Sequence, residues 1–190
     1  YLGINRGKTE TEPGGQVSIL APLDDKAMLA GMVGVPGEPI VFYTTFQGVG
    51  LSVLQTEFVL GDLQTIASAA PVLTLESVES RYWVPVAIQV KDGVPSGLWF
   101  MRSLWGVGGD GVNEGLEYFD LASGAIYEAL PLDMPYLRFS SLSPDQTWIA
   151  FSRLKDEGGS EFFIRNLAGG EPLNIPLLPE NQGAGNGIFS

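Results

Sequence analysis

Along the chain, apolar and aromatic residues come in short runs of roughly five to nine, separated by clusters of Gly, Pro, Asp and Asn. That punctuation predicts many short strands joined by turns. The best helical candidate, "LQTIASAAPVL" (Leu63–Leu73), is interrupted by Pro71, and its Thr65-Ile66 pair suits a strand better. The pattern is that of an all-β protein.

The runs also repeat. "WIAFSRL" (Trp148–Leu154) resembles "LWFMRSL" (Leu98–Leu104) and "IVFYTTF" (Ile40–Phe46). Each follows a turn containing Gly or Pro: "SPDQ", "KDGVPSG" and "VPGEP". Alignment on Phe151, Phe100 and Phe42 spaces the copies about 50–60 residues apart. Behind each lies a strand with an acid before an aromatic: "EFFIRNL" (Glu161–Leu167), "LEYFDL" (Leu116–Leu121) and "EFVLGDL" (Glu57–Leu63). A further segment follows each time, "EPLNIPLL", "AIYEALPL" and "TIASAAPVL". One also precedes each, "YLRFSSL", "YWVPVAIQV" and, more weakly, "AMLAGMVGV".

The unit is therefore four short strands over roughly 45–55 residues, the mark of a β-propeller blade. A blade cannot bury both faces alone and must stack on its neighbours. Phe42, Phe100 and Phe151 are expected at inward positions, and Tyr118 and Phe162 between adjacent sheets. The long loops, Gln47–Thr56 and Trp105–Glu114, are expected to offer contact surfaces. The predicted division is the end of a blade at 1–25, blades at 26–80, 81–133 and 134–180, and the start of another at 181–190, where "GIFS" repeats the residues before a "PD" turn. Tyr1 opens the chain without an initiating Met or a signal peptide, and propellers close with four to eight blades. A segment of a longer propeller is expected.

The best copy, over residues 142–176, resembles the repeat of TolB-like and WD-repeat-like bacterial propellers. Ser143-Pro144-Asp145, Ile149-Ala150-Phe151, Glu161-Phe162-Phe163-Ile164 and Gly169-Gly170 carry the likeness. Gln146 stands where that family usually has Gly. The resemblance implies a propeller fold in an extracytoplasmic bacterial protein, either cell-envelope or secreted.

Composition narrows the function. Apolar residues make up 45% of the chain, which suits a packed domain. The net charge is −12, with ten scattered Lys and Arg, so neither nucleic acid nor an anionic membrane surface is an expected partner. No run of ~18 apolar residues is present, so no helical membrane insertion is expected. Cys and His are both absent. That removes disulfides, thiolate zinc sites, the Ser-His-Asp triad and any imidazole base.

The remaining candidates are weak. "GVGGDG" (Gly106–Gly111) satisfies G-x-G-x-x-G but is followed by a strand, not a helix, which is the wrong context for a dinucleotide. Asp110, Asn113 and Glu114 offer oxygen ligands for Ca²⁺ without the spacing of an EF-hand loop, and "KDEGG" (Lys155–Gly159) is similar. Asp24, Asp25, Asp62, Asp92, Asp120 and Asp145 are the acids available for paired-carboxylate chemistry; turn-making suits Asp62 and Asp120, at the ends of equivalent strands, and Asp145, in its Pro-Asp turn, better. Among Trp83, Trp99, Trp105 and Trp148, Trp105 begins a Gly-rich loop and is the best exposed candidate for stacking on a sugar. No catalytic residue, cofactor or metal site is expected. The expected function is a non-catalytic propeller scaffold that binds a protein partner, with carbohydrate as a second possible ligand. The alternatives are the propeller of a carbohydrate-active or prolyl-oligopeptidase-like enzyme, and a surface-layer or filament component.

Overall fold

The computed structural model describes residues 3–5, 17–19, 27–35, 37–50, 53–105, 112–130, 137–154 and 160–176. Strands β1 (Gly3–Asn5) and β2 (Val17–Ile19) form an antiparallel pair. Three four-stranded antiparallel meanders follow. The first holds β3 (Met28–Gly34), β4 (Ile40–Gly50), β5 (Val53–Asp62) and β6 (Leu73–Ser77). The second holds β7 (Arg81–Lys91), β8 (Val94–Leu104), β9 (Val112–Asp120) and β10 (Ile126–Glu128). The third holds β11 (Leu137–Leu142), β12 (Trp148–Leu154), β13 (Ser160–Asn166) and β14 (Leu173–Ile175). One residue pair, Leu137 with Asn113, links β11 to β9. Among the described residues no sheet closes on itself.

The architecture is all-β, with four-stranded sheets where four-stranded units are expected. The only helical turn among the described residues is 3₁₀, at Ile66–Ser68. It corrects the strand expected in "TIASAAPVL"; the outer strand β6 starts at Leu73. The Thr65 and Ser68 hydroxyls donate to backbone carbonyls within the turn, and Ile66 plugs the face of the first sheet formed by Val41, Tyr43 and Val59. Local hydrogen bonding of this kind competes with strand pairing.

The sheets stack face to face. Phe42 and Phe58 of the first sheet pack against Trp83, Leu98 and Phe100 of the second; the Phe58 and Phe100 rings meet edge to face with centroids 4.9 Å apart. Successive strand residues point to opposite faces. Trp99 and Met101 therefore leave β8 on the other side, where they meet Ile149 and Phe151 of the third sheet. Strand β8 is buried on both faces, which is why Leu98–Met101 reads as an unbroken apolar run.

Phe42, Phe100, Phe151 and Phe162 are all buried, but the aligned copies do not share one face. Phe42 faces forward, toward the second sheet, whereas Phe100 faces back, toward the first. The two are not equivalent inward positions, because a one-residue slip in alignment reverses the face. Phe163, not Phe162, stacks on Phe151, with centroids 5.4 Å apart; Phe162 is buried on the opposite side of β13. Tyr118 does lie at the core shared by the second and third sheets, against Trp99.

Close backbone approach between sheets is concentrated at β7. It crosses β3, β4 and β5, whereas β10 has no comparable approach to the first sheet among the described residues; the third sheet meets the second chiefly through β11 against β9, and less through β7. Gly31 permits the tightest crossing: a Cβ there would lie 3.1 Å from Pro85 Cδ and 3.3 Å from Val84 Cγ1.

Candidate functional site

The inner strands of all three sheets end around one open groove of about 780 Å³. Its walls are Val33 and Val35 at the end of β3, Val86, Ile88 and Val90 on β7, and Leu142 with Pro144 at the end of β11. Strand periodicity puts aliphatic side chains here. The β-bulge between Pro85 and Ala87, and a second between Gln89 and Val90, re-aim the wall formed by β7.

Most polar side-chain atoms on the rim are already engaged. The Asp145 carboxylate accepts hydrogen bonds from the Ser143 hydroxyl, the Thr147 amide (3.2 Å) and the Thr147 hydroxyl (2.8 Å). These bonds, led by the one from Ser143, hold the Asp145 pKa below the usual carboxylate value. Ser143 Oγ also accepts from Trp148 N at 3.0 Å. Gln146 sits at φ 56°, a conformation that favours Gly. Its side chain compensates: Nε2 donates to Ile88 O at 2.8 Å, and Oε1 accepts from Trp99 Nε1 at 3.3 Å. The turn thereby ties the third sheet to the second. Ser141 Oγ is the buried groove atom without a hydrogen-bond partner among the described residues. Among the described residues the groove thus offers aliphatic surface, the Ser141 hydroxyl, Gln89 and no uncommitted charge.

A second polar centre lies between the first and second sheets. Glu117 on β9 is 5% exposed and accepts from Trp83 Nε1 at 2.9 Å. Arg102 on β8 pairs with Glu117, and with Glu128 at 3.0 Å; Arg81 pairs with Glu79 and Glu114. Burial raises the Glu117 pKa, and Arg102 and the Trp83 N–H partly offset that rise. Thr44 donates to Trp83 O across the same interface at 2.7 Å. Each of the four acids in the cluster pairs with one of the two guanidinium groups, and no group of acids arranged to hold a metal occurs among the described residues.

The other sequence candidates are dispersed. Asp62 accepts from Gln64 N at 2.8 Å, and Asp120 from Ser123 N and Oγ at 2.7 and 2.8 Å, so both close local turns. Asp92 occupies the β7–β8 hairpin at φ 54°, followed by Gly93 at φ 78°, as a type I′ turn requires. Asn113 accepts from Ser103 while Glu114 binds Arg81, so these two do not converge on one ion. Asp24, Asp25, Asp110, Gly106–Gly111 and Lys155–Gly159 lie outside the described residues. Trp83 and Trp99 are buried with bonded indoles, and Trp148 is half-buried; Trp105 is exposed.

No protein-family model matches the chain, and no curated protein matches it in sequence.

The expected contact loop at Gln47–Thr56 is instead strand: β4 runs to Gly50, β5 starts at Val53, and Gln47 pairs with Gln55. An amide ladder holds it, Gln47 donating to Gln55 and Gln55 to Glu76, each at 3.1 Å. In the other expected loop, Val112–Glu114 belong to β9. The groove was not legible in the sequence, since its walls come from three separate segments of ordinary aliphatic residues. Its one local signal is Gln146 in the place of a turn Gly.

Proposed function

We propose that the chain is a sector of a TolB-like β-propeller and works as a non-catalytic, protein-binding scaffold of an extracytoplasmic bacterial protein. The supporting observation is three consecutive four-stranded meanders, stacked face to face, the first two of which approach most closely along the first strand of the middle sheet. Such stacking is how repeated sheets bury the faces that each alone would expose.

The groove at the ends of β3, β7 and β11 is the contact surface. Its aliphatic walls and committed polar rim suit an apolar segment of a partner protein. The test places a photo-crosslinking amino acid at Val90, a groove residue with 36% of its surface exposed, in the full-length protein in its producing cell. A discrete protein adduct is expected, and Val90→Arg in the same background should prevent the partner from co-purifying. Co-purification of the partner unaffected by V90R would refute the groove as the contact. Turnover of glycans or peptides by the purified full-length protein would refute the non-catalytic role.

A further inference from the structure

We propose that Trp105, with Tyr82 and Asn113 beside it and the fully buried Ser103 orienting the Asn113 amide, forms a binding site for a neutral sugar ring. The site is separate from the groove and independent of the scaffold role. Trp105 extends the β7–β8 ladder: its amide donates to Ser80 O at 2.9 Å, one step beyond the pairing of Arg81 with Leu104. Trp105 and Ser103 are two residues apart and so share a face of the second sheet. Tyr82 and Asn113 pair with Ser103 from either side.

The indole is held from within the protein. Its centroid lies 5.8 Å from that of Tyr82, edge to face, and 5.3 Å from that of Phe46 on β4. Phe46 and Tyr82 are themselves stacked at 4.5 Å. Rings this close leave no space for a ligand between them, so the cluster is not a cage for a cation. What remains is the outer surface of Trp105, which is 43% exposed although Phe46 beneath it is only 4% exposed. That is a braced platform, and braced exposed indoles present large contact area at small entropic cost.

The polar groups beside the platform are uncharged. Ser103 Oγ donates to Asn113 Oδ1 at 2.6 Å, which fixes which end of the amide is which. Asn113 Nδ2 then has no partner among the described residues. The Tyr82 phenol lies against the Ser103 hydroxyl. The ion pair Arg81–Glu114 belongs to the opposite face, since Arg81 and Tyr82 alternate along β7. A pyranose matches this set: one apolar C–H face to lie on the indole, and equatorial hydroxyls at its edge for an amide donor and a phenol. Among the described residues, this face carries no counter-charge for a charged ligand.

The experiment titrates the full chain with cellohexaose, maltohexaose, mannohexaose and chitohexaose, with choline as the cation control. Binding is read by calorimetry and by the four indole N–H signals in ¹⁵N NMR. At least one oligosaccharide should bind and shift one indole signal, while those of Trp83 and Trp99, bonded inside the protein, stay in place. Trp105→Ala should weaken binding at least about tenfold, and Asn113→Ala several-fold, with far-UV and near-UV dichroism preserved. Should W105A not fold, the shift pattern of the wild-type indoles decides. Absence of oligosaccharide binding at millimolar concentration, binding unchanged in W105A, shifts confined to other indoles, or binding of choline in place of sugar would each overturn the proposal.

Discussion

Gly97 on β8 faces the ring of Tyr118 on β9. A Cβ at Gly97 would lie 2.1 Å from Tyr118 Oη and 2.2 Å from its Cε2 and Cζ. No side chain fits there unless the phenol leaves. The ring is not free to do so, because it packs on Trp99 with centroids 4.8 Å apart and on Tyr127 at 6.3 Å. We predict that Gly97→Ala destabilises the protein by about 1–3 kcal/mol, the usual cost of overpacking, with part of that cost arising as Tyr118 is pushed off Trp99. Tyr118→Ala alone removes a half-buried aromatic and should cost a similar amount. In the Y118A background the obstacle is gone, and Gly97 lies outside the left-handed region. There the same G97A change should stabilise by about 0.4–1 kcal/mol, through the lower entropy of the unfolded chain. The two substitutions should therefore be coupled by about 1.4–4 kcal/mol. Urea unfolding of the four proteins, followed by fluorescence and far-UV dichroism, supplies the cycle. Effects that add to within about 0.5 kcal/mol would show that Tyr118 is not what Gly97 accommodates.

Three further outcomes are expected. Gln146→Ala should cost about 1–2 kcal/mol, since it strands the Trp99 N–H and keeps the left-handed strain; Gln146→Gly should cost less, and the reverse order in denaturant midpoints would refute the bridging role. Because burial raises the folded-state pKa of Glu117, its contribution is fully present below the unfolded carboxylate pKa and is lost as pH rises through the folded value. Asp120 and Asp145, whose values are lowered chiefly by their bonds with Ser123 and Ser143, act in the opposite sense and weaken the fold as pH falls. Glu117→Gln should thus lose less stability than the wild type between acid and neutral pH, and parallel Tm–pH curves would contradict this. Ile66→Ala should cost about 2–5 kcal/mol, measured by thermal melting; a negligible change would mean that the 3₁₀ turn does not seal the first sheet.

The strand count was legible because turn residues interrupt the chain at nearly every sheet edge. Asp92-Gly93 and Ser143-Pro144-Asp145 announce hairpins through their own backbone chemistry. Which side chain faces which sheet was less legible. Val41, Phe42 and Tyr43 are all buried, so β4 carries no period-two signal to fix its register against β8 and β12. The strand expected across Thr65-Ile66 gave way to a turn because short-range hydroxyl bonds and the packing of Ile66 decided it, and neither is visible in a hydropathy pattern. Of the aromatic platform, only Trp105 could be singled out. Phe46 and Tyr82 reach it from strands far apart in sequence, and nothing local marks either as its support. The groove is illegible for the same reason.

The crossing at Gly31 has a geometric consequence. With no side chain on β3 at that point, β7 comes in close at one margin of the stack, while the margins carrying β6 and β10 stay apart. Two sheets set closer along one margin than along the other form a wedge, and wedges added in sequence turn an axis, as arch stones do. The angle between the first two sheets is set at the narrow side, so a single hydrogen atom at Gly31 helps to fix it. A methyl group there would have to push back Pro85 and Val84, spread the narrow margin and flatten the wedge.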